Sequence, residues 1–132
     1  MLVMIVSKLA EMRVLQRTII SESFPDTFFL EAATAEAALD LLGLYKVDIV
    51  VTGQHFESLK GQRGKAPMDG AAFALRLRRD GNKAFIILAS AMDTGTIDLT
   101  TFDAVCPKVD GFQRALQEAC RAAKEAGPKA PR

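Results

Sequence analysis

"TFFLEAATAEAALDLLGLYKVDIVVT", residues 27–52, changes its hydrophobic period twice. "TFFLEAA" (27–33) is an apolar run of strand length. Thr34 stands where its hydroxyl can N-cap the Ala-rich "TAEAALDLLG", and Gly43 suits the helix stop. "VDIVVT" (47–52) is again a short β-branched run. Strands that read as unbroken apolar runs, with a helix between them, belong to a parallel sheet covered on both faces.

The same alternation continues in both directions. "MLVMIV" (1–6) predicts the first strand, followed by the helix "LAEMRVLQRTIISES" with Leu9, Met12, Leu15, Ile19 and Ile20 on one stripe, ended by Phe24-Pro25-Asp26. Beyond residue 52, Asp69-Gly70 opens "AAFALRLRRDGN", a helix with Phe73, Leu75 and Leu77 turned inward and Asp80-Gly81-Asn82 as its close. "AFIILA" (84–89) is a fourth strand and "DAVCP" (103–107) a short fifth. "GFQRALQEACRAAKEAG" is a last helix capped by Asp110, and the tail "PKAPR" is expected to be mobile. The order is (βα)5. Right-handed crossovers make this a doubly wound open sheet, whose sites lie beyond the carboxyl ends of the strands. Those ends are Val6–Lys8, Thr52–Gln54, Ala89–Ala91 and Pro107–Val109.

Composition narrows the function. The chain has 132 residues, 49% hydrophobic and 25% charged, with a net charge of +1 spread over its length, so one domain is expected and nucleic acid is not a default partner. No apolar run is long enough to span a bilayer, and "MLVMIV" lacks the flank and cleavage site of a signal peptide; a cytoplasmic protein without a membrane partner is expected. Cys106 and Cys120 have neither a CxxC nor a metal-ligand spacing and read as two reduced, partly buried thiols. No cofactor or metal is expected.

In their order and spacing, "MIVSKLAEMRVLQRTI", "EAATAEAALDLL", "MDG", "IILASA" and "FDAVCPK" resemble the receiver domain of two-component response regulators, over residues 1–125 with 126–132 as a tail. The resemblance implies a flavodoxin-like α/β fold with strand order 2-1-3-4-5. In that family the third strand ends in an aspartate that accepts a phosphoryl group, and the matching position is Gly53. Two acidic residues at the end of the first strand help hold magnesium, and the matching positions are Ser7 and Lys8. The resemblance therefore implies a degenerate phosphorylation site at Ser7, Lys8, Gly53, Ser90 and Lys108. Of these, Ser90 matches the hydroxyl residue of the fourth strand and Lys108 the lysine of the fifth. The proline that usually follows this lysine is Val109, and the aromatic switch position is Val105.

No other acid takes over at once. Asp48 lies five residues earlier on the strand of Gly53, about 16 Å away at the opposite edge of the sheet. Asp69 suits a helix cap better than a phosphoryl acceptor. Ser7 has no activating base in view. Lys108 needs a new counter-charge, with Asp93, Asp110 and Asp69 as candidates, or else faces solvent.

The connection 54–68 is longer than the family's usual one. It carries His55, Phe56, Leu59, Lys60, Arg63 and Lys65. A loop of this length in a compact domain is functional or disordered. Its "GQRGKA" lacks the GxxxxGK[ST] spacing, so a protein contact, a solvated loop and an anion or nucleotide site remain open, while His55, without a Cys or carboxylate partner in sequence, reads as an exposed or packed ring. "DTGTIDLTT" is poor in helix formers and about a turn short, so the fourth helix of the family is expected to be short or replaced by a loop.

Together these features predict an atypical receiver domain in signal transduction, not phosphorylated on aspartate and not an enzyme. It would bind another signalling protein (a kinase, regulator or output protein) through 54–68 and 91–104. Homodimerisation is left open. The alternative is a small-ligand, nucleotide or anion sensor that uses the crevice at the strand ends.

Overall fold

The computed structural model describes residues 1–53, 68–90, 99–107 and 111–126. Five strands, β1 (Leu2–Val6), β2 (Phe28–Ala32), β3 (Ile49–Thr52), β4 (Phe85–Ser90) and β5 (Ala104–Pro107), form one parallel sheet in the order β2-β1-β3-β4-β5. Helices α1 (Ala10–Ser23), α2 (Ala35–Leu42), α3 (Gly70–Arg79) and α4 (Phe112–Ala126) alternate with them. This is the doubly wound fold read from the hydrophobic pattern. Between β4 and β5 the described residues hold a 3-10 turn at Leu99–Thr101; residues 91–98, and with them most of the predicted weak fourth helix, lie outside the described residues.

The unbroken apolar runs are explained by two cores, one on each face of the sheet. Met4, Val6, Val50, Ile86 and Leu88 pack with Ala35, Ala38, Phe73, Ala74 and Leu77 of α2 and α3. Their strand neighbours Val3, Ile5, Ile49, Val51, Ile87 and Ala89 face Ile19, Ile20, Leu116 and Cys120 of α1 and α4. Since side chains alternate along a strand, burial on both faces requires an apolar residue at every position. β2 is one of the two edge strands, and its Phe28 is 74% exposed.

Two helix stripes differ from the sequence reading. On α1 the buried face is Gln16, Ile19 and Ile20, with Met12 half-buried; Leu15 is 45% exposed and Leu9 stands outside the helix as its N-cap, also exposed. The spacing 12, 16, 19, 20 tracks the 3.6-residue period, from which Leu15 deviates by most of a quarter turn. On α3 Phe73, Ala74 and Leu77 are buried while Leu75 is 44% exposed, since two residues from either neighbour is across the helix.

The helix ends at Thr34, Asp69 and Gly81 follow the sequence pattern. Thr34 accepts a hydrogen bond from the Ala37 amide at 3.1 Å and Asp69 one from the Ala72 amide at 2.8 Å. Gly81 has φ of 76°, and the Asn82 amide reaches back to the Leu77 carbonyl at 2.9 Å, the six-to-one bond of a left-handed helix close. Arg78 then ties α3 to the β4 and β5 edge: its Nη2 lies 2.6 Å from Asp103 Oδ2, and the same oxygen accepts the Ile86 amide at 2.8 Å. Among the described residues no helix is long and apolar enough to cross a membrane.

Both cysteines are free and buried. Burial pushes the Cys106 thiol up to about 11 and, with the neighbouring Cys106 thiol adding to it, Cys120 up to about 12, from an ordinary 9.0. Unfolded thiols ionise above pH 9 while folded ones stay protonated, so the unfolded chain binds fewer protons there. The thiol contribution to stability is complete below pH 9 and is lost as pH rises toward 11 and 12. Urea midpoints at about pH 8 and about pH 10.5 are expected to fall less in a Cys106→Ala, Cys120→Ala variant than in the parent; equal falls would show that the thiols carry none of the effect. Separately, Asp69→Ala is expected to cost about 1 kcal/mol in urea unfolding through loss of the α3 cap.

Candidate functional site

The crevice beyond the carboxyl ends of β1, β3 and β4 is built on backbone ladders. Val6 pairs with Thr52, and the ladder extends one step further: the Gly53 amide donates to the Val6 carbonyl at 3.0 Å. On the other side of β1 the Ser7 amide donates to the Ala32 carbonyl at 3.0 Å. Ser7 and Gly53 are thus held as neighbours at the ends of the two central strands, and Ser90 ends β4 opposite Pro107.

Each position brings a chemistry that does not suit a divalent cation. Ser7 is buried, and its Oγ accepts from the Leu9 amide at 3.4 Å, so the hydroxyl supports the turn into α1. Lys8 is exposed. Gly53 has no side chain, although it has room for one: a Cβ there would meet the Ala89 carbonyl oxygen at 3.9 Å and that of Val6 at 4.0 Å, ordinary van der Waals distances. The buried Thr52 uses its hydroxyl on the Gly53 carbonyl at 2.9 Å. Magnesium is held by carboxylates, water and phosphate oxygens. A hydroxyl, an ammonium and a missing side chain do not fit it, and among the described residues no cluster of three or more His, Cys, Asp or Glu could hold a metal.

Arg13 is a member of this region that the sequence reading passed over. Its guanidinium donates to the Ser7 carbonyl, and its Nε lies 3.3 Å from Glu31 Oε1. Arg17, one turn on, holds the other oxygen of Glu31 at 2.9 Å. α1 is thereby fastened to β2 and to the end of β1 by a carboxylate shared between two guanidinium groups. The signal was present as Arg13 and Arg17 at a four-residue spacing, but their partner on β2 follows only from the strand order.

Asp69 is occupied as the α3 cap, and Asp48 accepts the Leu2 amide at 2.8 Å at the amino end of the sheet, as its distance along β3 predicts. Past the 54–67 connection, the Met68 amide donates to Glu36 Oε1 of α2 at 3.4 Å. The predicted loop residues His55, Phe56, Leu59, Lys60, Arg63 and Lys65 lie outside the described residues, as do Lys108 and its candidate partners Asp93 and Asp110.

No protein-family model matches the chain, and no curated protein matches it significantly in sequence. Solved structures do. The response regulator TrrA of Thermotoga maritima, solved in complex with Mg(2+)-BeF, superposes with a TM-score of 0.75 at 18% identity, over 92% of this chain and 97% of that one. The signal receiver domain of an HD domain-containing protein of Pseudomonas fluorescens Pf-5 gives 0.73 at 21% identity, over 94% of each chain. The chemotaxis response regulator CheY4 of Vibrio cholerae gives 0.73 at 11% identity, over 92% and 97%. The chain has the receiver fold; at these identities the chemistry is left to its own residues.

The space at Gly53 yields a test. Gly53→Asp alone is expected to fold with an unchanged thermal midpoint and to bind no Mg²⁺, because Ser7 and Lys8 still deny it carboxylates. Ser7→Asp, Lys8→Asp and Gly53→Asp combined are expected to bind Mg²⁺ in a calorimetric titration. Binding by the single variant would mean that a carboxylate elsewhere completes the site.

Proposed function

We propose that this chain is a signalling module with the receiver fold that works without aspartyl phosphorylation, by contact with another signalling protein. The observation that carries the reading is Gly53: the backbone at the end of β3 is closed onto β1, there is room for a side chain, and none is present. Lys8 adds a cation where the fold's chemistry calls for a carboxylate, and the Ser7 hydroxyl is engaged with the Leu9 amide. In TrrA the same fold holds Mg(2+)-BeF; here the three strand-end positions supply no ligand of that kind. The contact surface in this reading is the 54–68 connection together with 91–104, and the partner is a kinase, regulator or output protein. In this reading the module acts by binding.

A second reading, an anion sensor in the same crevice, is favoured by one observation. Lys8 is an exposed ammonium just past the end of β1, and the guanidinium of Arg13, paired with Glu31, lies on the Ser7 carbonyl beside it.

The two readings separate in one experiment. The protein is titrated with Mg²⁺ and beryllofluoride while amide NMR shifts are followed at Ser7, Gly53 and Ser90, beside the triple aspartate variant as a positive control. The native chain is expected to stay silent and the variant to respond. A response of the native chain that also appears with inorganic phosphate and no Mg²⁺ would make the anion sensor the better reading. A response that requires Mg²⁺ would overturn both.

A further inference from the structure

A cavity among the described residues lies at the pole opposite the candidate site. It has a volume of about 740 Å³ and is formed where β3 and β4 begin and where α2, α3 and α4 end. Its apolar wall includes Leu42, Val47, Ile49, Ala84 and Phe85, and the α2 to β3 turn sets Leu44 (77% exposed) and Tyr45 (49% exposed) at it. Three lysines line it: Lys46, Lys83 and Lys124. Among the described residues none of the three makes an ion pair; Lys124 lies over the Phe24 ring, 5.3 Å from its centroid. The one carboxylate in the lining, Asp48, is engaged by the Leu2 amide, and Asn82 Oδ1 holds the Ala84 amide at 2.9 Å.

An apolar wall bounded by three ammonium groups against one carboxylate, which is itself held by a backbone amide, is complementary to one kind of occupant, a molecule with an apolar body and an anionic head. The volume falls within the range of about 300–1,000 Å³ typical of small-molecule sites, which also combine apolar linings with few polar groups. Each lysine also follows or ends a helix, where a cation favours the negative end of the helix dipole. That role accounts for the charges but not for the exposed Leu44 and Tyr45 beside them.

We infer that this cavity is a binding site for a small amphipathic carboxylate, distinct from the strand-end crevice and independent of the proposed signalling role. The apolar body lies against Leu42, Phe85 and Tyr45, and the carboxylate is met by Lys46 and Lys83.

The chain carries its own reporter, since Tyr45 is its only tyrosine and it has no tryptophan. Tyrosine emission and amide NMR of the full chain are followed during titration with octanoate, octan-1-ol and octylammonium. Octanoate is expected to saturate the emission change and to shift the Gly43, Gly81 and Lys83 amides while Gly53 stays still. Octanol should bind more weakly and octylammonium weakest. A Lys46→Gln, Lys83→Gln variant is expected to lose about five-fold or more in octanoate affinity and to keep its octanol affinity. Equal binding of octanoate and octanol, or a variant with a lower thermal midpoint but unchanged octanoate affinity, would reduce the lysines to helix-end charges and overturn the inference. So would saturation by an acidic leucine-containing peptide with no response to octanoate, which would assign the groove to a protein.

Discussion

The pairing of β1 with β3 is the constraint on which the rest of this structure depends. These strands lie inside the sheet, each hydrogen-bonded on both edges and buried on both faces, with Val3, Met4, Ile5 and Val6 set against Ile49, Val50, Val51 and Thr52. A one-residue slip would exchange the α1/α4 face for the α2/α3 face at every position. Since both faces are apolar, the pattern alone does not forbid such a slip. What resists it is the set of polar contacts at the ends: Asp48 on the Leu2 amide at one end, and the Gly53 amide on the Val6 carbonyl at the other. The strand-end residues are therefore fixed by the ladder whatever their side chains, which explains why the fold persists when the side chains there are serine, lysine and none.

Much of the fold was legible because its rules are local and one-sided. Continuous apolar runs mean double burial; Thr34, Asp69 and Gly81 announce helix ends through chemistry that few other residues supply. The errors came where burial depends on what lies opposite. Leu15 and Leu75 are hydrophobic enough to be read inward, yet the helix period turns them out, and Gln16 occupies the buried place on α1, its side-chain oxygen without a hydrogen-bond partner among the described residues. No count of hydrophobic residues would have put a glutamine there.

The candidate site was legible in a different sense. Ser7, Lys8 and Gly53 could be set at neighbouring strand ends because a parallel sheet aligns its carboxyl edges, and the structure brings Ser7 and Gly53 to the ends of adjacent strands. Arg13 could not be assigned, since its partners are a carbonyl on β1 and a carboxylate on β2, two segments whose adjacency is topological. The Arg13, Glu31 and Arg17 group also shows how side chains satisfy a strand end: a guanidinium on the Ser7 carbonyl occupies an acceptor that would otherwise need water.

The charge pattern at these strand ends has an energetic side. A cluster of carboxylates at adjacent strand ends repels itself, and each member loses hydration when the crevice forms, so such a cluster costs stability unless a cation is bound. A buried hydroxyl that bonds a local amide, an exposed ammonium free to stay hydrated and a glycine carry none of that repulsion. By this argument the sheet end is relieved of a penalty that active sites commonly impose on their scaffolds. The ends of β1 and β3 are then held by the backbone ladder and by the Ser7 and Arg13 contacts, not by charge at the crevice.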